Sequence, residues 1–256
     1  MVKTFYSDIS NGCMSEKKEF YSDSMSTNDI IKDLKERREK LGQLKGFDGN
    51  KILIPVPMNS RPFTYRDVTE QITDILSTEP EYDLWDIDIP CDIMIIRNTL
   101  KGVVLSYPVA DCPVVVVSTK DTFGIAHCRV DLVDKKLPIS LVDAVSKVSK
   151  AKDSELSAYI GPCAGYNYIY ETYPYWATSS DWKHFITDEY SGYRIDLKRA
   201  IMSQLIRRGV GNIITSTVDT ISDPNFYSDY ACFHGAKTKK GKFLTGAYFD
   251  TKYKTR

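Results

Sequence analysis

Val109-Ala110-Asp111-Cys112-Pro113-Val114-Val115-Val116-Val117, followed after a polar break by Phe123-Gly124-Ile125-Ala126-His127, decides the fold. Val114–Val117 is an apolar, β-branched run of the kind that forms a strand buried on both faces. A tight turn around Lys120-Asp121 and a returning strand at Phe123–His127 make the segment a predicted hairpin. Such a hairpin carries Cys112 and His127 toward one end of the sheet. A thiol and an imidazole placed together bind zinc, or act as a nucleophile with its base. The alternative is a small buried thiol beside a hydrogen-bonded core histidine.

Outward from this hairpin the chain alternates helices and strands. Thr27 or Asn28 is positioned to cap a helix through Leu41, with Ile30, Ile31, Leu34 and Leu41 on one side and Gly42 at its end. Lys51–Val56 reads as a strand, Val68–Leu76 as a helix, Pro138–Val148 as a helix and Ser157–Ile160 as a strand. Ile195–Arg208 carries Leu197, Ile201, Leu205 and Ile206 at helical spacing, with Gly209 after it; Gly211–Val218 and Phe243–Phe249 read as strands. Hairpins mixed with crossovers predict an α+β fold: a single layered domain over 1–256, with a mixed β-sheet flanked by helices. Its core spans 50–250, and 1–49 adds an N-terminal region with one helix.

Composition narrows the function classes. Lys+Arg and Asp+Glu both total 34 in 256 residues, so no charge excess points to nucleic acid or to a membrane surface. No apolar run reaches membrane-spanning length, and no secretory h-region opens the chain. The six cysteines include no Cys-x-x-Cys pair, which removes a zinc ribbon and a thioredoxin-type motif. The expectation is a cytoplasmic protein with reduced thiols. The sequence leaves the oligomeric state open.

Several smaller features have two readings. Gly161-Pro162-Cys163-Ala164-Gly165 is either a structural turn or an anion-binding loop, and Cys163 is a possible second thiolate near Cys112. Tyr166, Tyr168, Tyr170, Tyr173 and Tyr175 either pack a surface segment or stack on a purine. Lys135-Lys136 and Lys237–Lys242 read as solvated basic loops.

The order of motifs resembles the multicopper polyphenol oxidase, or laccase-domain, family, whose members are regarded as zinc-dependent purine nucleoside enzymes. The resemblance rests on Cys91-Asp92, Val109-Ala110-Asp111-Cys112-Pro113, Gly124-Ile125-Ala126-His127, Ile160-Gly161-Pro162-Cys163 with Tyr170-Glu171, Asp196-Leu197, Gly209-Val210 and Phe226-Tyr227-Ser228. The helix ending Arg37-Arg38-Glu39-Lys40-Leu41-Gly42 is similar to the family's N-terminal helix. The resemblance implies a laccase-domain fold and a zinc site in which Cys112 and His127 are ligands and Asp111 orients one of them. It implies a purine nucleoside, or a related small molecule, as the ligand.

The departures fall on ligands and cations. The family's second histidine lies in a Q-x-H segment, where this chain has Ile54-Pro55-Val56-Pro57-Met58. Catalytic zinc normally takes three protein ligands, and a thioether at Met58 is a poor substitute. His184 and His234 are the remaining histidines. Asp131 stands where the family has an arginine, which predicts a reversed local field unless Arg129 compensates. Tyr230 replaces another arginine, Asp8 falls near a third, and Gly241-Lys242 stands for a late G-R.

Three functional readings follow. One is a divergent zinc-dependent purine nucleoside phosphorylase or deaminase with altered or reduced activity. Another is a zinc-free cysteine hydrolase or deamidase, with Cys112 as nucleophile and His127 as base, by analogy with a toxin deamidase that shares the fold. The third is a non-catalytic nucleoside-binding or interaction protein.

Overall fold

The protein is described by a computed structural model covering residues 1–165 and 168–251. Tyr166 of the tyrosine-rich run lies outside the described residues. The chain opens with strand β1 (Val2–Tyr6) and helix α1 (Thr27–Lys45). Short strands β2 (Ile52–Leu53), β3 (Pro55–Val56) and β4 (Tyr65–Asp67) lead to helix α2 (Thr69–Thr78) and strand β5 (Ile89–Pro90). The centre is β6 (Ile93–Arg97), β7 (Val104–Val109), β8 (Val114–Ser118) and β9 (Thr122–His127). Helices α3 (Val130–Asp134) and α4 (Leu137–Ser149) precede β10 (Ser157–Ile160), β11 (Ile169–Tyr170), β12 (Ile186–Glu189) and β13 (Gly192–Ile195). Helix α5 (Leu197–Arg208), β14 (Asn212–Thr215), α6 (Asp229–Phe233) and β15 (Phe243–Phe249) complete it.

Two sheets stack face to face between helices. One has the order β1-β15-β7-β2 and the other β14-β10-β8-β9-β6-β4. Both are mixed: β2 runs parallel to β7, β14 to β10 and β4 to β6, while the other pairs are antiparallel. The two-residue period of β8 explains the layering. Val115 and Val117 pack toward α3, α4 and α5, whereas Val114 and Val116 pack between the sheets against Leu105, Val109 and Phe243. On the outer face of the smaller sheet, Leu34 and Leu41 of α1 cover Ile52, Val104 and Leu244. The fold is α+β with mixed sheets, as the sequence predicts, and the β8–β9 hairpin forms with Val114 opposite His127.

The differences have local causes. Helix α1 is capped by Ser26, whose hydroxyl accepts from Asp29 N while the Asp29 carboxylate accepts from Ser26 N; it runs through Gly42 to a left-handed Gly46. Gly42 is there because a Cβ would lie 2.5 Å from the Phe47 carbonyl oxygen, where the chain folds back on the helix. Ile31 and Ile206 are not core residues: they are 47% and 58% exposed. The predicted strand Lys51–Val56 divides at Ile54: β2 pairs with β7, and then Pro55–Val56 pairs with β5. Ile195 ends a strand and Asp196 caps α5 by accepting from Arg199 N, so that helix starts two residues later than its pattern suggests. The strand expected at Gly211–Val218 is confined to Asn212–Thr215. No helix among the described residues is long and apolar enough to cross a membrane.

Candidate functional site

Between β7 and β8 the chain passes from the smaller sheet to the larger, and Ala110-Asp111-Cys112-Pro113 make that crossing. His127 ends β9 directly opposite Val114. The crossing therefore brings Cys112 and His127, both half-buried, to one pocket of about 770 Å³. Tyr107, Tyr168, Tyr230 and Phe233 supply aromatic wall, Ile54, Pro55 and Pro57 an aliphatic wall, and Lys17, Arg129 and Lys242 the cations. The Tyr107 ring packs on His127 with centroids 5.6 Å apart.

Burial above all keeps both groups neutral. Burial, then Arg129 and Lys242, lower the His127 pKa to about 4. Burial and the neighbouring Asp111 push the Cys112 thiol up to about 12, against the pull of Lys242 and Arg129. At neutral pH the imidazole keeps its free lone pair and the sulfur its proton. That arrangement opposes a preformed thiolate–imidazolium pair of the kind a cysteine hydrolase uses.

Asp111 points to the wall of the pocket. Its carboxylate accepts from Thr220 Oγ1 at 2.8 Å and from Tyr230 N at 2.8 Å, and its carbonyl accepts from Ala164 N at 2.7 Å. Burial nevertheless raises its pKa, against hydrogen bonds from Tyr230, Ser228 and Thr220. Ser228 is also the cap of α6, its hydroxyl accepting from Ala231 N. Asp111 thus ties down the helix that presents Tyr230 and Phe233.

Asp131 corrects the expected field reversal. It does not line the pocket, because α3 begins one residue before it and turns its carboxylate onto Arg129, which donates from Nε at 3.1 Å and Nη2 at 2.9 Å. Arg129 is one cation at the wall. Lys242, a second, is ion-paired with Asp229, and Lys17, a third, lies 3.8 Å from Glu19. The Gly161–Gly165 turn is structural: its N–H groups at Gly161, Ala164 and Gly165 donate to Val114 O, Asp111 O and Asp219 Oδ1.

The donor set falls short of a zinc centre. The wall facing the pair carries Ile54, Pro55 and Pro57, which offer no side-chain donor. Buried Asp92 pins the following loop by accepting from Asn59 N, Ser60 Oγ and Thr64 N at 2.6, 2.6 and 2.9 Å. His184 lies in a 3-10 turn beside Phe185, and His234 is exposed, with its ring 4.3 Å from that of Tyr230. Among the described residues no three His, Cys, Asp or Glu side chains form a group able to hold a metal ion. Cys112 and His127 alone do not fit a three-ligand site.

With this geometry in place, the profile of the multi-copper polyphenol oxidoreductase laccase family matches residues 12–248. The chain belongs to that family. Among solved structures, the laccase-family fold is shared with the Bacillus licheniformis hypothetical protein YfiH at a TM-score of 0.73 and 17% identity, over 97% of this chain and 93% of that one. Geobacillus stearothermophilus YlmD gives a TM-score of 0.73 at 16% identity, over 97% and 92% of the two chains. A Neisseria meningitidis protein gives 0.66 at 15% identity, over 97% and 94%. No curated protein matches the chain. For this laccase-family member, Lys17, Tyr107 and Phe233 are among the pocket residues that sequence reading missed. They come from the N-terminal segment, β7 and α6, and no short-range pattern joins them.

Proposed function

We propose that this chain binds a purine nucleoside in the Cys112–His127 pocket and has lost phosphorolysis. The single observation behind this reading is a pocket with tyrosine walls and a neutral imidazole at its floor. Stacking of a base on a tyrosine contributes roughly 1–3 kcal/mol without needing a particular base edge. Neutral His127 can both donate and accept a hydrogen bond, which suits the mixed edge of a purine or a ribose hydroxyl. Asp111 is a positioning residue that holds α6 against the ligand.

Phosphorolysis needs cations free to hold phosphate and to stabilise charge in the transition state. Arg129 is paired with Asp131, and Lys242 with Asp229. With two protein donors for zinc, and with Arg129, Lys242 and the exposed Lys17 each beside a carboxylate, the residues support binding better than phosphate-dependent cleavage. The test is incubation of the purified protein with adenosine or inosine, with and without phosphate, and chromatography of the products. The reading expects no phosphate-dependent release of adenine or hypoxanthine with ribose 1-phosphate. Robust phosphate-dependent turnover overturns it.

A further inference from the structure

A second pocket, of about 530 Å³, lies between the N-terminal segment, α1 and the basic loop before β15. It shares no lining residue with the Cys112–His127 pocket. Its volume falls within the roughly 300–1,000 Å³ of small-molecule sites. Arg37, Lys239 and Lys240 line it, against the single carboxylate of Glu19.

Arg37 is built into this wall. Gly12, at φ +78°, lies so close that a Cβ there would come within 2.7 Å of the guanidinium. Arg37 donates from Nη1 to Cys13 O at 2.9 Å and from Nε and Nη2 to Asp33 at 3.2 and 2.5 Å, which uses three of its five N–H groups. The basic loop is fixed as well: Met14 N donates to Lys242 O at 2.8 Å, and Cys232 Sγ to Lys239 O at 3.2 Å. Lys239 and Lys240 are exposed and, unlike the cations of the Cys112–His127 pocket, have no ion-pair partner among the described residues.

Tyr227, only 6% exposed, lines the same pocket beneath Gly241, where a Cβ would lie 2.6 Å from its ring. Its hydroxyl stands in the field of Cys13 and Arg37 and has no hydrogen-bond partner among the described residues. A buried hydroxyl left without a partner is completed by a ligand or a water. Phe20, half-buried in the wall, adds an aromatic surface on which a base can stack.

We propose that this second pocket binds a nucleoside monophosphate, with its phosphate held by Arg37, Lys239, Lys240 and the Tyr227 hydroxyl and its base against Phe20. Guanidinium and ammonium groups suit a phosphate dianion, and the hydroxyl donates to one of its oxygens. The site is independent of whether the Cys112–His127 pocket takes a nucleoside.

The experiment titrates AMP by calorimetry in the presence of excess adenosine, which fills the Cys112–His127 pocket if that pocket takes a nucleoside and lacks the phosphate this one requires. The proteins are wild type, the Lys239→Ser/Lys240→Ser double variant and Tyr227→Phe. AMP should still bind wild type, with an affinity that falls as salt is raised. Loss of the two charges should weaken it about tenfold, and loss of the hydroxyl should weaken it several-fold. Both lysines are exposed, so the double variant keeps the fold. No AMP binding under excess adenosine, equal AMP affinity in wild type and either variant, or inorganic phosphate binding as tightly as AMP would each overturn the proposal.

Discussion

Replacing Asp111 with alanine takes away the acceptor shared by Tyr230 N and Thr220 Oγ1, both at 2.8 Å. Each polar group left unpaired out of water costs roughly 1–3 kcal/mol, so the two donors together cost about 2–6 kcal/mol. Part of this is offset, because burial already penalises the charged carboxylate. A net loss of about 2–3 kcal/mol remains, which for a chain of this size lowers Tm by about 5–10 °C. Asparagine should cost less, about 1 kcal/mol, since its amide keeps one acceptor oxygen and the Thr220 hydroxyl can turn to accept from its NH₂. Differential scanning calorimetry of the two variants beside wild type is the assay. Equal melting of all three proteins, or equal losses in both variants, would refute the assignment of Asp111 as the anchor of α6.

Ile125→Ala opens a cavity between the two sheets, where the side chain is fully buried, and should cost about 2–5 kcal/mol in a urea unfolding curve. Asp181 accepts from Arg207 and Lys136, which lower its pKa to about 2. Because the folded value lies below the unfolded one, its contribution is present above the ordinary carboxylate range and is lost as pH falls toward 2. Its side chain is 33% exposed, so solvent screening reduces the effect to ~1 kcal/mol; Asp181→Asn should lower the urea midpoint at neutral pH and match wild type near the acid end. Zinc added to the protein should be removed by dialysis against a chelator, and Cys112→Ser should abolish what binding there is; stoichiometric zinc retained by wild type in metal analysis would show a third ligand.

Much of the architecture was legible in short stretches. The run Val114–Val117 encodes its two packing faces in alternate residues, and Asp111, Cys112 and His127 stand at the edges of elements that local pattern defines. The resemblance in motif order then placed the pocket. What remained hidden depends on contacts distant in sequence. Strand β1 is short and polar on one side, and only its pairing with β15 makes it a strand. The pocket wall at Tyr230 and Phe233 is set by a carboxylate more than a hundred residues earlier. The ion pair of Asp131 with Arg129, two residues away, is the compensation that the sequence left open, and only the fold shows that it forms. The sheet of β11, β13 and β12 carries no clean alternation of apolar residues, so its sequence reads as loop.

The central claim is that a purine nucleoside stacks in this pocket. Titration calorimetry of adenosine and inosine into wild type and Tyr168→Ala tests it most directly. Tyr168 lines the pocket, with its ring edge-on to that of Tyr230 at 5.1 Å, and its removal deletes one stacking face. The account predicts saturable one-to-one binding to wild type and, from a stacking loss of roughly 1–3 kcal/mol, an affinity about 5–150-fold weaker in the variant. No binding of either nucleoside to wild type, or equal affinity in both proteins, would contradict it.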